Sequence, residues 1–187
     1  MSLLNAADKL YVGSTPVDRV YAGANLAWEA GGVEPPVTGP DARLITSFTP
    51  GGDRNDFTGQ VGVRLGIGTS NMLVSWCGIR RHHTDGPRTV HLYEWFADAL
   101  QWSVTIDLTG HADGEFVWKA IAPYTLLANG YYALMMDCTQ GDGKIWTNPG
   151  PVTMPSIVNI YDTYRVAAGP LQTGMSGAMF VGLDLGW

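Results

Sequence analysis

From residue 43 onward the chain is a succession of short apolar runs, each closed by Gly, Asp, Asn or Pro, and no window carries a helical repeat. Val61-x-Val63-x-Leu65-x-Ile67 shows the pattern at its plainest. A period of two puts every apolar side chain on one face of an extended strand and every intervening residue on the other. Similar runs occupy 43–48, 60–67, 72–79, 88–96, 101–108, 115–121, 130–138, 144–146, 156–164 and 178–185. Turn formers punctuate the gaps, as in Gly51-Gly52-Asp53, His111-Ala112-Asp113-Gly114, Gly141-Asp142-Gly143 and Asn148-Pro149-Gly150-Pro151. Glu94–Leu100 is long enough for one helical turn, but its aromatic flanks and brevity favour a strand end. Strands at regular spacing without crossover helices predict an all-β chain, an antiparallel β-sandwich of jelly-roll type.

The first thirty residues are organised differently. Lys9-Leu10-Tyr11-Val12-Gly13-Ser14 is followed by Arg19-Val20-Tyr21-Ala22-Gly23-Ala24, so a shift of ten lays Tyr11 over Tyr21 and Gly13 over Gly23. Each copy reads as a short strand, a Gly-centred turn and a second short strand, and the doublet ends at Leu26 and Trp28. A lone two-stranded hairpin cannot bury its own apolar face, so it needs something to pack against. Residues 30–42 hold Pro35, Pro36 and Pro40 with several glycines and no periodicity, the composition of a semi-extended linker. The expected division is a hairpin repeat at 1–29, a linker at 30–42 and a sandwich at 43–187.

Composition narrows the classes of function. Charged residues make up 15% of the chain, against about 25% in an average globular domain. A weakly charged chain hides much of its surface, as a subunit of an assembly does. The net charge of −6 and the lack of a basic cluster beyond Arg80-Arg81 argue against nucleic acid as a partner. No basic-then-apolar leader precedes the repeat, and no apolar stretch reaches the ~20 residues of a membrane span. The expectation is a soluble protein made in the cytoplasm without a signal peptide. Cys77 and Cys138 lie in strand-like runs and read as small buried hydrophobes in preference to a disulfide.

The doubled basic-apolar-Tyr-x-Gly unit closed by Trp28 resembles a segment at the start of tailed-bacteriophage virion proteins, particularly minor tail proteins. The resemblance covers about residues 8–29. The remainder resembles β-sandwich domains of phage appendages, through Val61-Gly62-Val63-Arg64-Leu65, Cys77-Gly78-Ile79-Arg80, Val90-His91-Leu92-Tyr93 and Leu126–Leu134. These resemblances imply a virion location, with residues 1–29 joining other virion proteins. Tyr11, Val12, Gly13, Val20, Tyr21, Gly23, Leu26 and Trp28 then form the anchoring interface, by strand pairing onto a partner. A trimer or ring of identical copies suits such an appendage. The alternatives kept open are a carbohydrate-binding module of a cell-surface or secreted protein and a capsid decoration or head-fibre protein. The fold-level likeness to carbohydrate-binding modules carries no function by itself.

The remaining constellations have plain and specific readings. His82-His83, in Arg80-Arg81-His82-His83-Thr84-Asp85-Gly86-Pro87, lack a partner at zinc-ligand spacing and read as an exposed loop able to touch a partner. Asp53-Arg54-Asn55-Asp56 and Asp142 suit turn chemistry first, with a structural calcium ion as the alternative and no other cofactor expected. Gly174-Met175-Ser176-Gly177 lacks the strand-to-helix context of a nucleophile elbow. Asp107 with Glu115 is the carboxylate pair to consider for a glycosidase, and the expectation is no enzyme. Aromatics are 11% of the chain. Trp76 reads as core, whereas Trp118, Tyr131 and Trp146 divide evenly between core filling and a platform for a host-surface glycan.

Overall fold

The structure is a computed structural model and describes residues 10–12, 15–17, 19–22, 25–29, 39–49, 51–83, 85–141, 145–147, 152–153, 157–166, 168–173 and 182–187. Every regular element among them is a β-strand. The chain divides into two units, Met1–Thr38 and Gly39–Trp187.

In the first unit β1 (Leu10–Val12) pairs antiparallel with β2 (Thr15–Val17), and β3 (Arg19–Ala22) with β4 (Asn25–Glu29). The innermost pairs are Val12 with Thr15 and Ala22 with Asn25, each closed by a two-residue connection. The ten-residue repeat therefore recurs in the innermost two pairs of each hairpin, with Tyr11 opposite Pro16 and Tyr21 opposite Leu26, whereas beyond them Leu10 faces Val17 but an irregularity sets Val20 opposite Trp28. Gly13, Gly23 and the stretch 30–38 lie outside the described residues.

The second unit begins with β5 (Ser47–Phe48) and β6 (Gly52–Arg54), followed by the long strands β7 (Gly59–Ile67), β8 (Met72–Arg80), β9 (Pro87–Glu94), β10 (Ala99–Asp107), β11 (Phe116–Leu126) and β12 (Tyr131–Cys138). Short strands β13 (Ile145–Thr147) and β14 (Val152–Thr153) precede β15 (Ile157–Arg165) and β16 (Leu183–Gly186). A five-stranded antiparallel sheet runs β10-β9-β12-β7-β15, and a three-stranded one runs β11-β8-β16. The two sheets pack face to face as a β-sandwich. β13 pairs with β6 and β14 with β5.

The alternation that predicted β7 is realised residue by residue. Val63, Leu65 and Ile67 enter the core, where they meet Val90 and Leu92 of β9 and Tyr132 and Leu134 of β12. Cys77 and Ile79 of β8, Val117 and Leu126 of β11, and Leu183 and Leu185 of β16 supply the opposing face. Burial, reinforced by the nearby Asp184 charge, pushes the Cys77 thiol far above its ordinary range, so it packs as a small hydrophobe.

Several elements differ from expectation for identifiable reasons. Residues 43–48 are not one strand. Ser47–Phe48 alone pairs as a strand; before it Arg43 makes an isolated bridge to Gly186, and the buried Leu44 and Ile45 lie in the bend that follows it. The segment before them, assigned by composition to the linker, belongs to the second unit. Asp41 and Ala42 amides donate to the Trp187 carbonyl, and Trp187 returns a bond to Ala42. Gly52–Arg54, read as a turn, is a strand. β11 continues to Leu126 through an irregularity between Ala120 and Tyr124 that contains Pro123, tolerated because β11 is an edge strand. Trp76 is half-buried and outside the core cluster. Val74 and Cys77, three apart, are both fully buried. β8 therefore changes face between them, opposite the β11 irregularity, and Trp76 is turned aside.

Candidate functional site

Among the described residues of the second unit, those singled out in the sequence do not converge. His82 and His83 sit on the β8–β9 loop with ring centroids 4.7 Å apart. Asp113, from the β10–β11 loop, accepts the His83 amide at 2.8 Å and faces its Nδ1 at 2.6 Å. Arg81 reaches Asp113 at 2.5 Å and Asp85 at 2.8 Å. This lattice ties two loops together at one end of the sandwich. His111 and Glu115 add a second pair at 2.8 Å. A hydrogen bond from the His83 amide, then the charges of His83 and Arg81, hold the Asp113 carboxyl below its ordinary range. Glu115 is lowered by bonds from the Ala112 amide and His111. Asp107 is lowered by the Thr109 hydroxyl and amide. All three carboxyls are thus held toward the ionised form. Among the described residues no group of three or more His, Cys, Asp or Glu side chains is placed to hold a metal ion. Asp142 and Ser176 lie outside the described residues.

Trp118 belongs to the outer face of the three-stranded sheet. It stacks on Phe116 (5.3 Å, 17°) and lies over Gly78, directly opposite it in the ladder. A Cβ at Gly78 would stand 2.5 Å from the indole. The Arg43 guanidinium rests 4.2 Å above Phe116. Trp118 is thus part of a packed layer, not a loop-tip platform. Trp146 is in β13, paired with Asp53 in the ladder.

Tyr131 leads to a different surface, the outer face of the five-stranded sheet. The register places Tyr131, Ala133, Met135 and Asp137 of β12 on that face, with His91 and Tyr93 of β9 and Ser103 of β10. At one end the Trp95 amide donates to the Tyr131 carbonyl, and Arg64 lies 4.7 Å above the Trp95 ring and 5.7 Å from Tyr131. Phe96, 77% exposed, meets Tyr131 edge-on at 5.5 Å. The β9–β10 turn that presents Phe96 is held by the Glu94 carboxylate, which accepts the Phe96 and Ala97 amides. In the middle, Ala133, Met135 and Tyr93 are buried although they face outward, because Leu171 and Trp95 pack on them. Arg165 caps Tyr93 at 4.5 Å and pairs with Asp98.

A continuous hydrogen-bond chain crosses the same face. The Tyr93 hydroxyl donates to Gln60 Oε1 (3.2 Å), and Gln60 Nε2 donates to Asp137 Oδ1 (2.9 Å). Asp137 Oδ2 lies 3.0 Å from His91 Nε2, and His91 Nδ1 lies 2.7 Å from Ser103 Oγ. An Nε2–H donated to the carboxylate leaves Nδ1 to accept the Ser103 hydroxyl. Comparison with protein-family models, curated proteins and solved structures yields no match. Function therefore has to be argued from the site.

Ser103, His91 and Asp137 have the connectivity of a nucleophile, base and orienting acid. Acyl transfer also needs donors aimed at a developing oxyanion. Ladder amides lie in the plane of a sheet, while the Ser103 hydroxyl stands off its face. The strands that carry the trio therefore aim no backbone N–H above it. What the chain of bonds does accomplish is to fix the orientation of five polar side chains, with Ser103 and Asp137 at the exposed end.

Proposed function

We propose that the protein is a structural component of a tailed-phage virion, a minor tail protein or similar appendage, anchored through residues 1–29 and displaying the β-sandwich outward. The observation that carries this reading is the first unit, two short hairpins whose innermost two pairs repeat the same register and which form a unit distinct from the sandwich. Three- to five-residue strands bury little by themselves, so their stability comes from pairing or packing with another polypeptide. Tyr11, Tyr21 and Trp28 supply the apolar anchors and the strand edges supply backbone bonds. The sandwich then contributes binding without chemistry, in a trimer or ring of identical copies.

Limited proteolysis tests the anchor. Residues 1–29 are cut rapidly in the isolated protein and protected in assembled particles, and a chain lacking them keeps its sandwich but is absent from particles. A segment fully resistant in the isolated monomer, or normal incorporation of the truncated chain, overturns the proposal. A second reading, a carbohydrate-binding module on a cell-surface or secreted protein, is supported by the rings and hydrogen-bonding groups along the five-stranded sheet.

A further inference from the structure

We propose that the outer face of the five-stranded sheet is a polysaccharide-binding track, with Tyr131 and Phe96 as the stacking end and Asp137, His91 and Ser103 as the hydroxyl-reading end. The proposal deepens the display reading by assigning a ligand class to the displayed domain. It does not require that the hairpins join a virion.

The two ends of the face match the two characters of a sugar ring. A pyranose offers an apolar C–H face and a rim of hydroxyls, each both donor and acceptor. Phe96 and Tyr131 present aromatic surface at one end, fixed by their mutual edge-on contact and by the Glu94-capped turn. Asp137 (side chain 53% exposed) offers acceptors, and Ser103 an exposed hydroxyl, at the other. From Tyr131 to Asp137 the strand advances six residues, roughly 20 Å at the strand rise, so a polysaccharide that engages both ends passes over the Leu171 and Trp95 side chains that cover the buried centre. Because Gln60 and His91 already hold Asp137 and Ser103, little side-chain entropy is lost when hydroxyls bind them, the usual advantage of preorganisation.

Other occupants fit less well. A protein partner needs a desolvated apolar centre surrounded by a polar rim. Here the centre of the face is already closed by Leu171 over Tyr93, Ala133 and Met135. A nucleic acid needs uncompensated cations. Arg165 is paired with Asp98, Asp137 adds a negative charge to the track, and the chain carries −6 overall.

The test is affinity electrophoresis of the full chain through native gels containing hydroxyethyl cellulose, galactomannan, arabinogalactan or xylan, with dextran sulfate as the charged control. At least one neutral polysaccharide is expected to retard the protein. The retardation should weaken tenfold or more in Phe96→Ala and Tyr131→Ala, and severalfold in Asp137→Ala and Ser103→Ala. Phe96, Asp137 and Ser103 are exposed, so those variants keep the fold, and circular dichroism checks Tyr131→Ala. Unretarded migration in all four gels overturns the proposal, as does retardation equal in all four variants. Retardation by dextran sulfate alone reflects charge attraction without sugar recognition, and overturns it too. The protease experiment on residues 1–29 is independent of every one of these outcomes.

Discussion

Arg43 Nε lies 3.0 Å from Asp184 Oδ2, joining the segment that leads into the sandwich to its last strand. Asp184 is 1% exposed, and its other oxygen accepts the Ile45 amide at 3.0 Å and the Leu185 amide at 2.9 Å. Arg43 itself donates to the Ile45 carbonyl. One buried carboxylate therefore organises the bend at residues 43–45, which delivers Leu44 and Ile45 into the sandwich.

Burial opposes ionisation of Asp184 more than Arg43 and the two amides favour it, so its pKa is pushed up to about 7. An unfolded aspartate titrates near 3.9. Between these values the folded chain binds the extra proton, so the contribution of Asp184 to stability is full below about 4 and is lost as pH rises through about 7. Thermal melts should show a decline in Tm from pH 5 to pH 8 that Asp184→Asn flattens. An unchanged slope in that variant would refute the assignment.

The acid side has the opposite sign. Asp107, Asp113 and Glu115 all titrate below their ordinary values in the fold. Their contribution is present above the unfolded carboxylate range and is lost as pH falls through the folded values. Asp113→Asn should loosen the β8–β9 and β10–β11 loops together, since the same carboxylate serves Arg81 and His83. Faster amide exchange at His83 in this variant, at unchanged exchange in the core strands, is the expected signature.

Gly78→Ala tests the layer outside the three-stranded sheet. The added methyl would press on the Trp118 ring at 2.5 Å, so the indole must lift from Phe116 and Arg43. Overpacking of this kind costs roughly 1–3 kcal/mol. The near-ultraviolet dichroism of the Phe116–Trp118 stack should change with it. A variant of unaltered stability and spectrum would show that the indole is not held against Gly78.

How much of this was legible in the chain depends on the length scale of the signal. Strands such as β7 and β12 announce themselves through local alternation, because one face is dry. The bend at Leu44-Ile45 does not, since its cause is Asp184, a residue near the far end of the chain. The same holds for the polar chain on the five-stranded sheet. Ser103 lies twelve positions from His91 and Asp137 forty-six from it, and only the strand order β10-β9-β12 makes them neighbours. Tyr131 was reachable as an aromatic beside a turn. Phe96, hidden in a stretch that reads as a strand end, was not. Adjacent histidines stand out in the sequence, yet Asp113, the partner of His83, comes from another loop.

The mutual bonds between Ala42 and Trp187 carry a consequence for engineering. Residues 41–42, which lead toward the sheets, and Trp187, which follows β16, run side by side. A short peptide bridging residues 39 and 187, with new ends opened at the β9–β10 turn, would yield a circular permutant retaining every strand of both sheets. By the same geometry, the whole sandwich can be spliced into a surface loop of another protein without prising that loop apart.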